Sequence, residues 1–203
     1  GTGKDLSDYT VDDRRVPVHM VDIVDAGYRY NVYEYQRDFL KVLEDLSARS
    51  VFPVVCGGSG MYVDSIVSGY RLVQVPLNAQ LRTLLEGRSL KELTEMLSRY
   101  KSLHNSTDVD TVKRAVRAIE IADWYVHHPV DESPFPVRNP LVTAVFVDRE
   151  TRRQRISDRL RTRLEEGMIE EVQRLLAGGI HPDDLIYYGL EYKYITLYLM
   201  NRL

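Results

Sequence analysis

The stretch Val51-Phe52-Pro53-Val54-Val55-Cys56 runs straight into Gly57-Gly58-Ser59-Gly60, and Met61-Tyr62-Val63-Asp64-Ser65-Ile66-Val67 continues it with a helical pattern. A strand, a glycine corner and a helix start in direct succession restrict the fold more than any other part of the chain, because this is the joint of a sheet covered by helices. Glycines let the backbone pass close to a ligand, and the first turn of a helix offers free N–H groups at its positive end. The corner therefore suits a polar or anionic substrate. A tight turn needed only for packing gives the same pattern, and the residues themselves leave both readings open.

The surrounding segments repeat the rhythm. Val16-Pro17-Val18-His19-Met20-Val21-Asp22-Ile23-Val24-Asp25 reads as extended, and Tyr35, Phe39, Val42, Leu43 and Leu46 recur at helical spacing before the strand at 51–56. From about residue 76 to 126 no strand pattern appears. Leu81–Leu85, Leu90–Tyr100 and Thr111–Val126 read as helices, with Ser89 and Glu92 spaced for a capping box and Asp110 placed to cap the third helix. The proline-bearing stretch 128–136 is a connector. Leu141-Val142-Thr143-Ala144-Val145-Phe146-Val147-Asp148 restores the sheet pattern, apolar enough for a strand buried on both faces. Residues 149–176 are helical with Gly167 as an interruption, and Ile156, Leu160 and Leu164 form the expected buried stripe. The predicted architecture is α/β: a parallel-sheet core from residues 1–72 and 137–203, interrupted by a helical insertion at 73–136.

Charge gives no overall direction. A net charge of −3 over 203 residues does not draw the chain toward nucleic acid, so such contacts must come from local patches. Cys56, the single cysteine, excludes an internal disulfide framework, fits a reducing compartment and reads as a small buried strand residue. No apolar run approaches the roughly 20 residues that span a bilayer, and no basic-then-apolar signal segment opens the sequence. The expectation is a cytoplasmic protein with no membrane partner.

Two basic clusters stand out. In 110–120, Val112, Val116 and Ile119 are expected to face the core, while Lys113 and Arg117 share a side with Arg114 beside them. A solvated face is the plainer reading, and a row of phosphate contacts the sharper one. Arg152, Arg155, Arg159 and Arg163 follow steps of three, four and four along one helix, with Asp158, Glu165 and Glu166 only partly answering their charge. An anionic ligand suits the planar guanidinium fork, and salt bridges to acids elsewhere in the fold are the equal alternative. The aromatics in Ile186-Tyr187-Tyr188-Gly189-Leu190-Glu191-Tyr192-Lys193-Tyr194 favour packing over base stacking. No zinc spacing and no Gly-x-Ser-x-Gly elbow is present, and no metal ligand is assigned. Gly1-Thr2-Gly3-Lys4 lacks the full spacing of a P-loop.

Taken in order, Gly1-Thr2-Gly3-Lys4, the segment 16–25, Tyr33-Glu34-Tyr35-Gln36-Arg37-Asp38, Gly57-Gly58-Ser59-Gly60-Met61-Tyr62, Lys113–Glu120, Arg155–Leu160 with Glu166–Val172, and Tyr188-Gly189-Leu190-Glu191-Tyr192 resemble the tRNA dimethylallyltransferase (tRNA isopentenyltransferase) family over nearly the whole chain. The resemblance implies a P-loop-type, nucleotide-binding sheet core and transfer of a dimethylallyl group from its diphosphate to N6 of an adenine beside the tRNA anticodon. It also implies Mg2+ as cofactor and an adenine flipped out of the anticodon loop.

By the same resemblance, Ser59 stands near the reacting centre, and Arg155 and Arg159 steady the pyrophosphate charge, with Arg159 the stronger choice. Gly57, Gly58, Gly60 and Tyr62 line the substrate. Arg82, Lys113, Arg114 and Arg117 lie in or beside a tRNA-facing insertion, and the protein is expected to act as a monomer. The glycine corner and the arginine row are expected to share one pocket. The family's P-loop and an Asp-Ser-x-Gln motif with the catalytic aspartate would precede Gly1, and a basic segment would follow Leu203. Residues 1–203 alone are therefore expected to be inactive. Prenylation of free adenine nucleotides and a non-catalytic nucleic-acid-binding remnant are the alternatives.

Overall fold

The computed structural model describes residues 9–68, 72–102, 107–128 and 139–203. The expectations for Gly1-Thr2-Gly3-Lys4 and for most of the 128–136 connector lie outside the described residues. Two compact units make up the chain: Gly1–Asp64 with Asn139–Leu203, and Ser65–Arg138.

The first unit opens with a hairpin of β1 (Thr10–Val11) and β2 (Arg14–Arg15), paired antiparallel with Thr10 opposite Arg15 and Val11 opposite Arg14. Its two-residue turn, Asp12-Asp13, holds both residues at positive φ, the geometry that matches the twist of the flanking strands. Helix α1 (Val32–Ala48) starts at a capping box: the Asn31 side chain accepts from the Glu34 amide, and Glu34 reaches back to the Asn31 N–H at 3.1 Å. Its inner face buries Leu43 and Gln36, and Tyr35 meets the Tyr62 ring edge-on at 4.7 Å. Helix α2 (Gly60–Val67) begins where the Ser59 carbonyl accepts from the amides of Tyr62 and Val63.

Toward the C-terminus, α6 (Arg149–Glu165) is followed by α7 (Met168–Ala177), α8 (Pro182–Tyr188) and α9 (Leu190–Leu199). Gly167 separates α6 from α7 at φ +93°, a conformation that a side chain would strain. Val172, Leu185 and Tyr192 form the buried centre of this region, with Leu175, Leu176, Ile180, Ile195 and Leu199 packed on it.

The second unit is helical: α3 (Ala79–Leu85), α4 (Leu90–Tyr100), a 3-10 turn at Thr107–Val109, and α5 (Val112–His127). Ser89 and Glu92 form the expected capping box at the start of α4. Thr111, not Asp110, caps α5. Asp110 instead accepts from the Arg114 guanidinium at 2.5 Å. The core of the unit is Leu85, Leu93, Leu97, Ala115, Ala118 and Ile119. Ala115 and Ala118 let the aliphatic side chains of α4 come close, so the buried stripe of α5 runs through them, while Val112 is exposed.

The sheet expected at 51–56 and 141–148 is not formed among the described residues. The only paired strands there are β1 and β2. Extended backbone becomes a strand when a neighbour takes up its N–H and C=O groups, and neither segment has such a ladder. Their apolar side chains are correspondingly uncovered, with Phe52 at 87%, Leu141 at 92% and Phe146 at 94% exposure. Cys56, read as buried, is exposed. Ile156, Leu160 and Leu164 of α6 are also exposed rather than buried, because nothing in the described chain covers that stripe. Among the described residues no helix is long and apolar enough to cross a membrane.

Candidate functional site

Asp148 places the arginine row. Its carboxylate accepts from the Thr151 amide at 2.9 Å and starts α6, so that Arg152, Arg155 and Arg159 project from one side of the helix. With Val145, Phe146, Val147 and Ile156 they line an open groove of about 590 Å³. Arg163, one turn further on, does not line it.

Asp158 is engaged by Arg161 at 3.1 Å and by Gln154 at 2.8 Å. The guanidinium groups of Arg152, Arg155 and Arg159 have no carboxylate partner among the described residues. Three cations beside an apolar wall make a surface for a molecule with a strongly anionic end and a short apolar tail.

The glycine corner stands apart. None of Gly57, Gly58, Ser59, Gly60 or Tyr62 lines the groove, so the shared pocket expected from sequence is not formed by the described residues. A Cβ added at Gly57, Gly58 or Gly60 would meet nothing within 4 Å, and none of the three has positive φ. Neither crowding nor backbone conformation within the described residues requires glycine at these positions. Tyr62 is a packing residue against Tyr35, and burial, followed by the nearby Tyr187 and Glu34, holds its hydroxyl above the usual tyrosine range.

In the helical unit, the centre of the basic cluster is an acid that the sequence reading did not single out. Glu120, 2% exposed, accepts from Arg82 Nε at 2.7 Å and Arg82 Nη2 at 2.8 Å. It also accepts from Arg117 Nη1 at 3.1 Å and from the Asn78 amide at 2.9 Å. Arg117 further donates to the Val75 carbonyl at 2.7 Å. Lys113 and Arg114 are exposed on the same helix, Arg114 paired with Asp110. The signal for Glu120 was present: it stands four residues after Val116, inside the apolar row of α5, where a carboxylate needs partners.

Burial alone would raise the Glu120 pKa. The Arg82 hydrogen bonds, the Asn78 amide and Arg117 together outweigh it and hold the carboxyl at about 2. Asp38 in the other unit is likewise lowered to about 2, chiefly by its bond to Arg37. Both folded values lie below the unfolded ones, so the stability they contribute is present above about pH 4.5 and is lost as pH falls toward 2. A urea midpoint measured from pH 6 to 3 should drop over the lower part of that range in the wild type. The drop should be smaller in Glu120→Gln, and an equal drop in both would remove Glu120 as a contributor.

The late aromatics pack. The Tyr188 hydroxyl accepts from the Gly27 amide at 2.6 Å and donates to the Tyr28 carbonyl at 3.2 Å, while Tyr192 donates to Glu171 at 2.7 Å. Arg29 lies over the Tyr187 ring at 5.0 Å. Among the described residues no three His, Cys, Asp or Glu side chains gather to hold a metal ion.

Comparison with known proteins accounts for the whole sequence. The chain is 58% identical over its full length to tRNA dimethylallyltransferase 2 of Bacteroides fragilis and 54% identical to tRNA dimethylallyltransferase 2 of Phocaeicola vulgatus, spanning 66% of each. Among solved structures, the crystal structure of a tRNA delta(2)-isopentenylpyrophosphate transferase from Staphylococcus epidermidis matches with a TM-score of 0.56. That match covers 93% of this chain and 64% of the other at 21% identity, a likeness that speaks for the fold alone. The sequence model of the family described as IPP transferase matches residues 1–203, and the chain belongs to that family.

Proposed function

We propose that the protein carrying this chain transfers a dimethylallyl group from dimethylallyl diphosphate to N6 of an adenine beside the tRNA anticodon. The observation that carries the reading is the groove in which three unpaired arginines face Val145, Phe146 and Ile156. A prenyl diphosphate has matching parts: a diphosphate for the guanidinium forks and a five-carbon tail for the apolar wall. In the reaction the N6 lone pair forms a bond to C1 of the dimethylallyl group. The C1–O bond breaks, and its electron pair leaves on pyrophosphate. The N6 proton passes to a base, which the family resemblance places on an aspartate outside these residues. Arg155 and Arg159 hold the charge that grows on the departing oxygen, which is where fixed donors lower a barrier.

Ser59 and the open glycines of the corner are assigned to the substrate side of the same reaction, and the P-loop-type sheet belongs to this proposal as well. The resemblance of Lys113, Arg114, Arg117 and Arg82 to tRNA-facing positions supports an RNA substrate, since a free nucleotide needs no such surface. The setting proposed is the cytoplasm. The test is direct: the intact protein is incubated with tRNA and labelled dimethylallyl diphosphate, and the digested nucleosides are separated. Label on adenosine from the anticodon loop is expected. Label on free adenosine monophosphate with none on tRNA would replace this reading with nucleotide prenylation.

A further inference from the structure

We infer that Glu120 is a positioning residue: it fixes Arg82 so that the outer edge of that guanidinium receives a backbone phosphate of the RNA. The inference rests on the tRNA reading above and adds to it a division of labour. A carboxylate has about four lone-pair sites, and Glu120 uses them on Arg82 Nε, Arg82 Nη2, Arg117 Nη1 and the Asn78 amide. It is saturated and buried, and takes no ligand itself.

The two arginines differ in what they have left. Arg117 spends Nη1 on Glu120 and on the Pro76 carbonyl at 3.5 Å, and Nη2 on the Val75 carbonyl, which ties segment 75–78 to α5. It is a strut. Arg82 spends only its Nε–Nη2 edge, both bonds on the same carboxylate. Its Nη1–Nη2 edge keeps free N–H groups, and its side chain is 43% exposed. Two guanidinium groups on one carboxylate leave the cluster with a net positive charge, and a fork held on one edge loses little side-chain freedom when an anion meets the other. This geometry suits the paired oxygens of a phosphodiester.

The experiment measures tRNA binding by the intact protein in the absence of prenyl donor, at fixed salt, for wild type, Arg82→Lys, Arg82→Ala, Glu120→Gln and the double variant Arg82→Ala/Glu120→Gln. Loss of a charge-assisted fork at constant charge should weaken Arg82→Lys by about 10-fold. The Michaelis constant for dimethylallyl diphosphate should stay unchanged. Glu120→Gln should weaken binding through Arg82, so its effect should vanish in the Arg82→Ala background. Wild-type RNA affinity in Arg82→Lys, or effects of Arg82→Ala and Glu120→Gln that add fully, would overturn the inference. If Glu120→Gln fails to fold, Arg82→Lys decides alone, because it leaves the carboxylate in place. A wild type that binds tRNA and prenylates nothing strikes the proposed activity and leaves this inference standing, whereas a wild type that does not bind tRNA removes both.

Discussion

Replacing Arg159 with alanine in the intact protein should lower kcat/KM for prenyl transfer by about 10²- to 10³-fold, the range typical for removing one preorganised donor from a site of developing negative charge. Arg159 lines the groove with Arg155 and Arg152 and has no internal carboxylate to satisfy. Its guanidinium is therefore available to a substrate at little reorganisation cost. The effect should fall mainly on kcat, because the leaving oxygen carries more charge in the transition state than in bound diphosphate. Lysine at the position keeps the charge and loses the fork, so Arg159→Lys should recover part of the rate. Arg153 is the control: it is exposed on the same helix outside the groove, and Arg153→Ala should stay near wild type. Steady-state kinetics with tRNA and donor varied separately decides the matter. An Arg159→Ala rate within about twofold of wild type would take the diphosphate out of this groove, since a lost charge-assisted bond costs far more.

The largest effect on stability is expected at Leu97. Its side chain is fully buried against Leu93, Ala115 and Ile119 in the α4–α5 core. Leu97→Ala removes buried methyl groups and leaves a void that close-packed neighbours fill only in part, which costs about 3 kcal/mol. Urea unfolding of the intact protein followed by helix signal should show the transition of this unit moving to lower denaturant. Leu84→Ala, one residue from buried Leu85 but itself 70% exposed, should change stability by less than about 0.5 kcal/mol. Equal shifts for the two variants would mean that the α4–α5 packing is not what holds the unit together.

The helices were the legible part of this fold. Residues 33–46, 61–67, 81–85, 90–100 and 111–126 were readable from apolar spacing and caps, and Gly167 as a break in the helix that follows Asp148, because these signals act within a few residues. The sheet was not, for the opposite reason. Val51–Cys56 and Leu141–Asp148 carry strand composition, but a strand is made by its neighbour, and composition cannot say whether that neighbour lies in the same described chain. Similarly, Ile156, Leu160 and Leu164 have the spacing of a buried stripe without a surface to bury against.

At the candidate site the periodicity of the arginines put Arg152, Arg155 and Arg159 on one side of α6, where the structure has them. Their freedom from salt bridges could be learned only from three dimensions, since any distant acid might have answered them. Arg82 and Arg117 illustrate the same limit. Arg117 stands three residues before Glu120 on α5 itself, but Arg82 reaches the same carboxylate, and Arg117 the Val75 carbonyl, only through how α3 and the segment before it pack beside α5. Tyr62, given as a substrate contact by the family resemblance, meets the Tyr35 ring edge-on, a contact that its place after the glycine corner does not announce.

The uncovered extended segments also bear on the life of the polypeptide in the cell. Phe52, Val54, Leu141, Val145 and Phe146 present the kind of long, flat, greasy backbone that folding helpers bind and that recruits identical neighbours into aggregates. An added strand that took up their free N–H and C=O groups would remove that hazard and bury the apolar side chains in the same step.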